Sequence, residues 1–160
     1  SFAGGSGYHD HNWGFWQGVS WQWGQVQHDD ISVVYGRVFP PKDAADPDRI
    51  PGLLVAIGPD GSIGYATNVT IDEVNAPGTS RPERLTVRGR SPSIDLTLAF
   101  TVEDFVVNRM EGGPLGSGMD FLQLRGRYSV TGTAAGQPLA FQAAGSAETF
   151  RGRSASTPDR

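Results

Sequence analysis

Two histidines, a carboxylate, an amide and a phenol stand together in Gly7-Tyr8-His9-Asp10-His11-Asn12-Trp13-Gly14, and all four tryptophans, Trp13, Trp16, Trp21 and Trp23, fall within the sixteen positions from Tyr8 to Trp23. Beyond them the chain has one more histidine, His28. A carboxyl such as Asp10 can orient or charge a neighbouring histidine, and apolar aromatic walls push such groups towards neutral pKa values, which suits proton transfer. Indole faces can also shelter a developing carbocation through their quadrupole. Alternatively, His9 and His11 share one face of an extended strand and His28 offers a third nitrogen for zinc. With no cysteine and a third ligand that must be assumed, no metal or other cofactor is assigned. The bland reading is structural, with indoles filling the inside of a barrel and the polar groups satisfying backbone near its mouth.

The elements that must position these groups read as strands. In Tyr8–Trp13 an extended chain alternates Tyr8, Asp10 and Asn12 with His9, His11 and Trp13. Ser20–Gln27 puts Trp21, Trp23, Gln25 and Gln27 on one face, and His28-Asp29-Asp30 makes a turn. Ile31–Phe39 is rich in β-branched and aromatic residues and stops at Pro40-Pro41. Lys42–Pro51 is a charged loop. Gly58-Pro59-Asp60-Gly61 joins Leu53–Ile57 to Ser62–Thr67 as a hairpin, and Val69–Val74 follows. Arg84–Arg90 and Ile94–Val102 alternate apolar with polar residues, and Phe105–Met110, Phe121–Val130 and Leu139–Phe150 complete the series.

Asp104 reads as a turn residue, Gly112–Gly118 as a hairpin loop, and Arg125 and Arg127 as a wet ladder. Glu148 reads as an outward carboxylate. Many meandering strands without crossover helices predict an all-β fold, an antiparallel lipocalin-like β-barrel of about eight or nine strands. Its interior is the expected ligand cup, with the indoles pointing into it.

The chain of 160 residues fits one domain, placed at 1–150, with 151–160 as a disordered tail. Thirteen cationic and seventeen anionic side chains, scattered rather than clustered, give no footprint for a nucleic-acid partner. No apolar run approaches the roughly 20 residues of a membrane span. The absence of cysteine leaves the compartment open.

Gly7-Tyr8-His9-Asp10-His11-Asn12-Trp13-Gly14, followed by Trp21-Gln22-Trp23-Gly24, resembles the signature that opens the C-terminal domain of the carotenoid 1,2-hydratase (hydroxyneurosporene synthase) family and its lipocalin-like relatives, which include Diels-Alderases. The closing Gly145-Ser146-Ala147-Glu148-Thr149-Phe150 is similar to the family's final strand. The resemblance implies paired lipocalin-like halves with an apolar ligand in or between them. This chain would be the second half, partnered by an N-terminal lipocalin-like domain, which the abrupt start at Ser1-Phe2-Ala3-Gly4-Gly5 also suggests.

The family's proposed site, a His-x-Trp with a downstream tyrosine and aspartate, falls here on His11, Trp13 and Tyr35-Gly36-Arg37, with Arg37 where the acid would stand. Guanidinium is a poor proton donor, so acid catalysis would pass to Asp10 or Asp29. The expected catalytic residues are His11, Asp10 and Tyr35, and the expected ligand-binding residues are His9, Asn12, Trp13, Trp21, Trp23 and Arg37. The expected function is binding of an apolar isoprenoid or polyketide-like molecule, with hydration or cyclisation by proton transfer. The alternatives are a non-catalytic hydrophobic-ligand barrel and a sugar-binding module.

Overall fold

The computed structural model describes residue 9 and residues 19–40, 50–111 and 118–152. They form nine strands: β1 (Ser20–His28), β2 (Ile31–Phe39), β3 (Leu53–Gly58), β4 (Gly61–Ala66), β5 (Val69–Asn75), β6 (Pro82–Arg90), β7 (Ile94–Met110), β8 (Met119–Ala134) and β9 (Gln137–Gly152). The fold is all-β and antiparallel, as the alternating pattern predicts. Among the described residues no helix is long and apolar enough to cross a membrane. Asp29 turns the chain between β1 and β2 with φ 49°, and Ala135 and Gly136 link β8 to β9 with φ 47° and 74°. Two successive positive φ values give the turn a twist that matches the flanking strands.

One sheet contains all nine strands in the order β4-β3-β2-β1-β9-β8-β7-β6-β5. First and last strands therefore meet at its centre, where Gly24 pairs with Ala147. The two edge strands, β4 and β5, are joined through only Thr67 and Asn68. Such a short link between opposite edges requires the sheet to roll up. Side chains and single hydrogen bonds hold the roll. Tyr65 N–H donates to Ser93 Oγ at 3.2 Å, Ser93 Oγ donates back to the Tyr65 carbonyl at 3.3 Å, and Arg37 Nη1 on β2 donates to the Val69 carbonyl on β5.

β4 and β5 form no ladder with each other, so the sheet is rolled without the continuous hydrogen bonding of a closed barrel. Six-residue β4 meets the turn carrying Ser93 and the adjoining ends of β6 and β7 on its far side without pairing with them.

Side chains fill the inside of the roll. Phe100 stacks on Tyr128 with centroids 4.3 Å apart, and Tyr35 meets Tyr128 edge-on at 6.4 Å. These rings fit because glycine lies opposite them: a Cβ on Gly24 would stand 2.5 Å from the Tyr35 ring, and one on Gly145 would stand 2.8 Å from Tyr128. Val26, Val33, Leu54, Leu85, Leu98 and Val130 close around them. The expected open cup is occupied at this level by the core.

The sequence suggests separate strands at 94–102 and 105–110, whereas β7 is continuous. A register shift between Val102 and Asp104 absorbs the polar pair that mimics a turn. Asp104 caps the irregularity by accepting from Phe105 N–H at 2.9 Å.

Candidate functional site

Strand alternation in β1 sends Gln22, Gly24 and Val26 into the roll and leaves Trp21, Trp23 and Gln25 half-buried on its outer face. The indoles thus stand on the opposite face from the one expected. Their neighbours set this choice. Gly24 lies between Tyr35 on β2 and Ala147 on β9, and only glycine there leaves room for the inward Tyr35 and Tyr128 rings.

On the outer face the Cε3–Cζ3 edge of Trp23 packs against Gly36, where a Cβ would meet indole Cε3 at 2.2 Å. Trp21 packs against Phe150 at 4.0 Å between ring centroids, and Phe150 stacks on Phe121 at 4.5 Å. The β2–β3 ladder reaches only to Gly36 and Leu53, so Arg37, Val38 and Phe39 run on beyond β3. A groove of about 340 Å³ opens at this corner, with Trp21, Trp23, Val38, Pro51 and Leu53 as its apolar walls and Glu148 on the β9 side. Glu148 is outward, as expected, but half-buried, and it also bounds a smaller hollow beyond Trp23 with Gln25, Gln123 and Ser146.

Arg37 borders both the groove and an adjoining hollow of about 250 Å³ lined by Ile50, Pro51, Gly52, Thr67, Asn68 and Val69. Its Nη1 donates to the Val69 carbonyl at 2.5 Å, and its guanidinium carbon lies 5.5 Å from the Phe39 ring centroid. The Nε–H is buried and has no partner among the described residues.

Tyr35 occupies the core, fully buried and on the face of the sheet away from the indoles. Tyr128 donates its proton to the Ser146 carbonyl at 3.0 Å, so at 3.1 Å Tyr35 donates to Tyr128. Burial pushes both phenols well above their ordinary pKa. Chemically this pair is a neutral hydrogen-bonded bolt.

Of the other expected site residues, His9 is exposed and outside the strands. Asp10, His11, Asn12 and Trp13 lie outside the described residues. Trp21, Trp23 and Arg37 all border the groove, but strand alternation turns the Arg37 side chain to the inward face with Gln22, away from the indoles, and Tyr35 does not border it. His28 is exposed, 3.5 Å from Asp29 and stacked on Phe141 at 4.9 Å. Among the described residues no three metal-ligating side chains cluster.

A polar group that the sequence does not announce lies inside the roll. Gln22, 1% exposed, donates through Nε2 to Glu73 Oε1, and Arg151 Nη2 donates to both Glu73 oxygens at 2.6 Å. Glu73 is 51 and 78 positions from these partners, a separation that no local pattern reveals. No family model, curated protein or solved structure matches the chain.

Proposed function

We propose that this domain binds an apolar small molecule of isoprenoid or polyketide-like type, seated against Trp21 and Trp23 on the outer face of the roll. One observation carries the reading: a groove of about 340 Å³, walled by two indoles, Val38, Pro51 and Leu53, at the corner where β2 outruns β3. That volume is in the usual range for small-molecule sites, and mostly apolar walls with a few polar groups are their usual chemistry. Leu53, 37% exposed, and the half-buried indoles offer apolar surface whose removal from water favours binding. The resemblance of the opening segment to carotenoid hydratases supports the same ligand class. Hydration or cyclisation by proton transfer is the second reading, favoured by the carboxyl of Glu148 on this wall.

Farnesol titrated into the protein is expected to quench tryptophan fluorescence to saturation, with an affinity about tenfold or more weaker in Trp23→Ala. Quenching that rises linearly without saturation would remove the binding proposal. Loss of farnesol with appearance of a hydrated or cyclised product would establish the catalytic reading.

A further inference from the structure

We propose that the free edge of β7 pairs with the same edge of a second copy of this chain, extending one sheet across two molecules. β7 is paired with β8 as far as Met110 opposite Met119, but its pairing with β6 runs only from Asp95 to Thr101. Past Thr101 no strand among the described residues pairs with its other side. Every residue from 103 to 110 is exposed, whichever face of the sheet it occupies, and Phe105, Val106 and Val107 are 43%, 57% and 38% exposed. An edge of unpaired N–H and C=O groups flanked by apolar side chains is a template for another strand.

The two outermost strands of the sheet are better covered. β4 is short and abuts the turn carrying Ser93, and Arg37 from β2 takes the Val69 carbonyl on β5. The overhang of β7 is little guarded: 104–110 holds no proline or lysine, and the register shift that could twist it away falls at its start, between Val102 and Asp104. The acids there, Asp104 and Glu103, are turned to Arg125 and Arg127 on β8, at 3.4 and 3.6 Å. Arg81 covers part of the Phe105 ring, its guanidinium carbon 4.4 Å from the centroid, and leaves Val106 and Val107 open.

The residues of this edge select their own copy as the occupant. Along an antiparallel ladder hydrogen-bonded and non-hydrogen-bonded pairs alternate, so two identical strands related by a two-fold axis must place one residue opposite itself. With Val106 on the axis, Phe105 faces Val107 of the second copy and Asp104 faces Asn108 of the second copy. Each apolar side chain then meets an apolar one, and a carboxylate meets an amide donor. The Asn108 amide gives one N–H to Gln123 Oε1 at 3.1 Å and has a second to offer. Moving the axis to Val107 sets Phe105 against Arg109 and Asp104 against Met110, and moving it to Phe105 sets Asp104 against Val106. Asp104-Phe105-Val106-Val107-Asn108 is thus palindromic in character about Val106, a symmetry that pairing with a different chain would not require.

So short an edge makes a small interface, of the weak and reversible class. Sedimentation velocity of the chain from about 1 to about 300 μM should show reversible dimerisation with a dissociation constant on the order of 10–100 μM. Val106→Lys sets two like charges opposite each other and should weaken dimerisation about tenfold or more. Its urea midpoint should stay that of the wild type, because the Val106 side chain is exposed. The chain has no cysteine, so single cysteine substitutions report the register. Val106→Cys brings its two Cα atoms to about 4.5–5.5 Å, within disulfide range, whereas Asn108→Cys leaves them roughly 13 Å apart. Under mild oxidation the first variant should crosslink and the second should stay largely monomeric. A monomer across the whole concentration range, dimerisation that Val106→Lys does not weaken, or equal crosslinking of the two cysteine variants would each overturn the proposal. Should Val106→Lys not fold, the wild-type sedimentation and the cysteine pair still decide the matter.

Discussion

At the residue scale the Tyr35–Tyr128 pair governs how the protein responds to base. Both hydroxyls are sealed in the core, and burial raises both pKa values above the ordinary phenol value of 10.0. An unfolded chain can release these protons near pH 10, whereas the folded chain holds them. The pair's contribution to stability is therefore fully present below about pH 10 and is lost as pH rises beyond it. Urea midpoints followed from about pH 8 to about pH 11 should fall steeply at the alkaline end, and Tyr35→Phe should flatten that fall. At neutral pH Tyr35→Phe removes one hydrogen bond and should cost about 1 kcal/mol. Tyr128→Phe should cost more, about 2 kcal/mol, because it strips the partner from Tyr35 and from the Ser146 carbonyl together. Equal midpoints for the two variants would contradict the donor order assigned to the pair.

At the element scale, turns and strand faces decide what the sheet presents. Ala135 sits at φ 47° in the β8–β9 turn, a backbone region that asparagine tolerates better than alanine. Ala135→Asn, giving Asn-Gly at this turn, should raise unfolding free energy by about 0.5–1 kcal/mol in a urea titration. A loss of stability would show that the turn is not of this type. Much of this layer is legible in the sequence. Gly58-Pro59-Asp60-Gly61 announces the β3–β4 hairpin, and the alternation of Ile94, Leu96, Leu98 and Phe100 names the buried face of β7. The face assignment of β1 is not legible. Its own residues favour the indoles for the inside, yet Gln22, Gly24 and Val26 take that place. The decision belongs to ring volumes on β2 and β8, elements that local patterning cannot weigh. The groove follows from that decision, because Trp23 can pack against Gly36 only on the outer face.

At the scale of the whole molecule, a sheet whose edges do not pair must be held shut by side chains. Glu73 on β5 accepts from Gln22 on β1 and from Arg151 on β9, joining an edge strand to the two strands at the sheet centre. The Glu73 and Arg151 side chains are 18% and 26% exposed, so the pair is shielded well beyond a surface ion pair. Glu73→Gln leaves a shielded guanidinium without its counter-charge and should cost about 1–3 kcal/mol, read by urea denaturation. Glu73→Gln combined with Arg151→Met removes both charges and should recover part of that loss. An unchanged midpoint in the single variant would show that the roll does not depend on this contact. Nothing in the local sequence marks Glu73, which reads as one acid among the alternating residues of β5, because its meaning arises only when the sheet rolls.

The rolled sheet separates a packed interior from a ligand-ready exterior, and the most direct test of that separation is the position of a bound guest. Nuclear magnetic resonance of the labelled protein titrated with farnesol should show the indole N–H signals of Trp21 and Trp23 and the amides of Gly36 and Leu53 moving together, saturating with one dissociation constant. Saturable shifts confined to the inward ring residues Tyr35, Phe100 and Tyr128, with the two indoles unmoved, would contradict it.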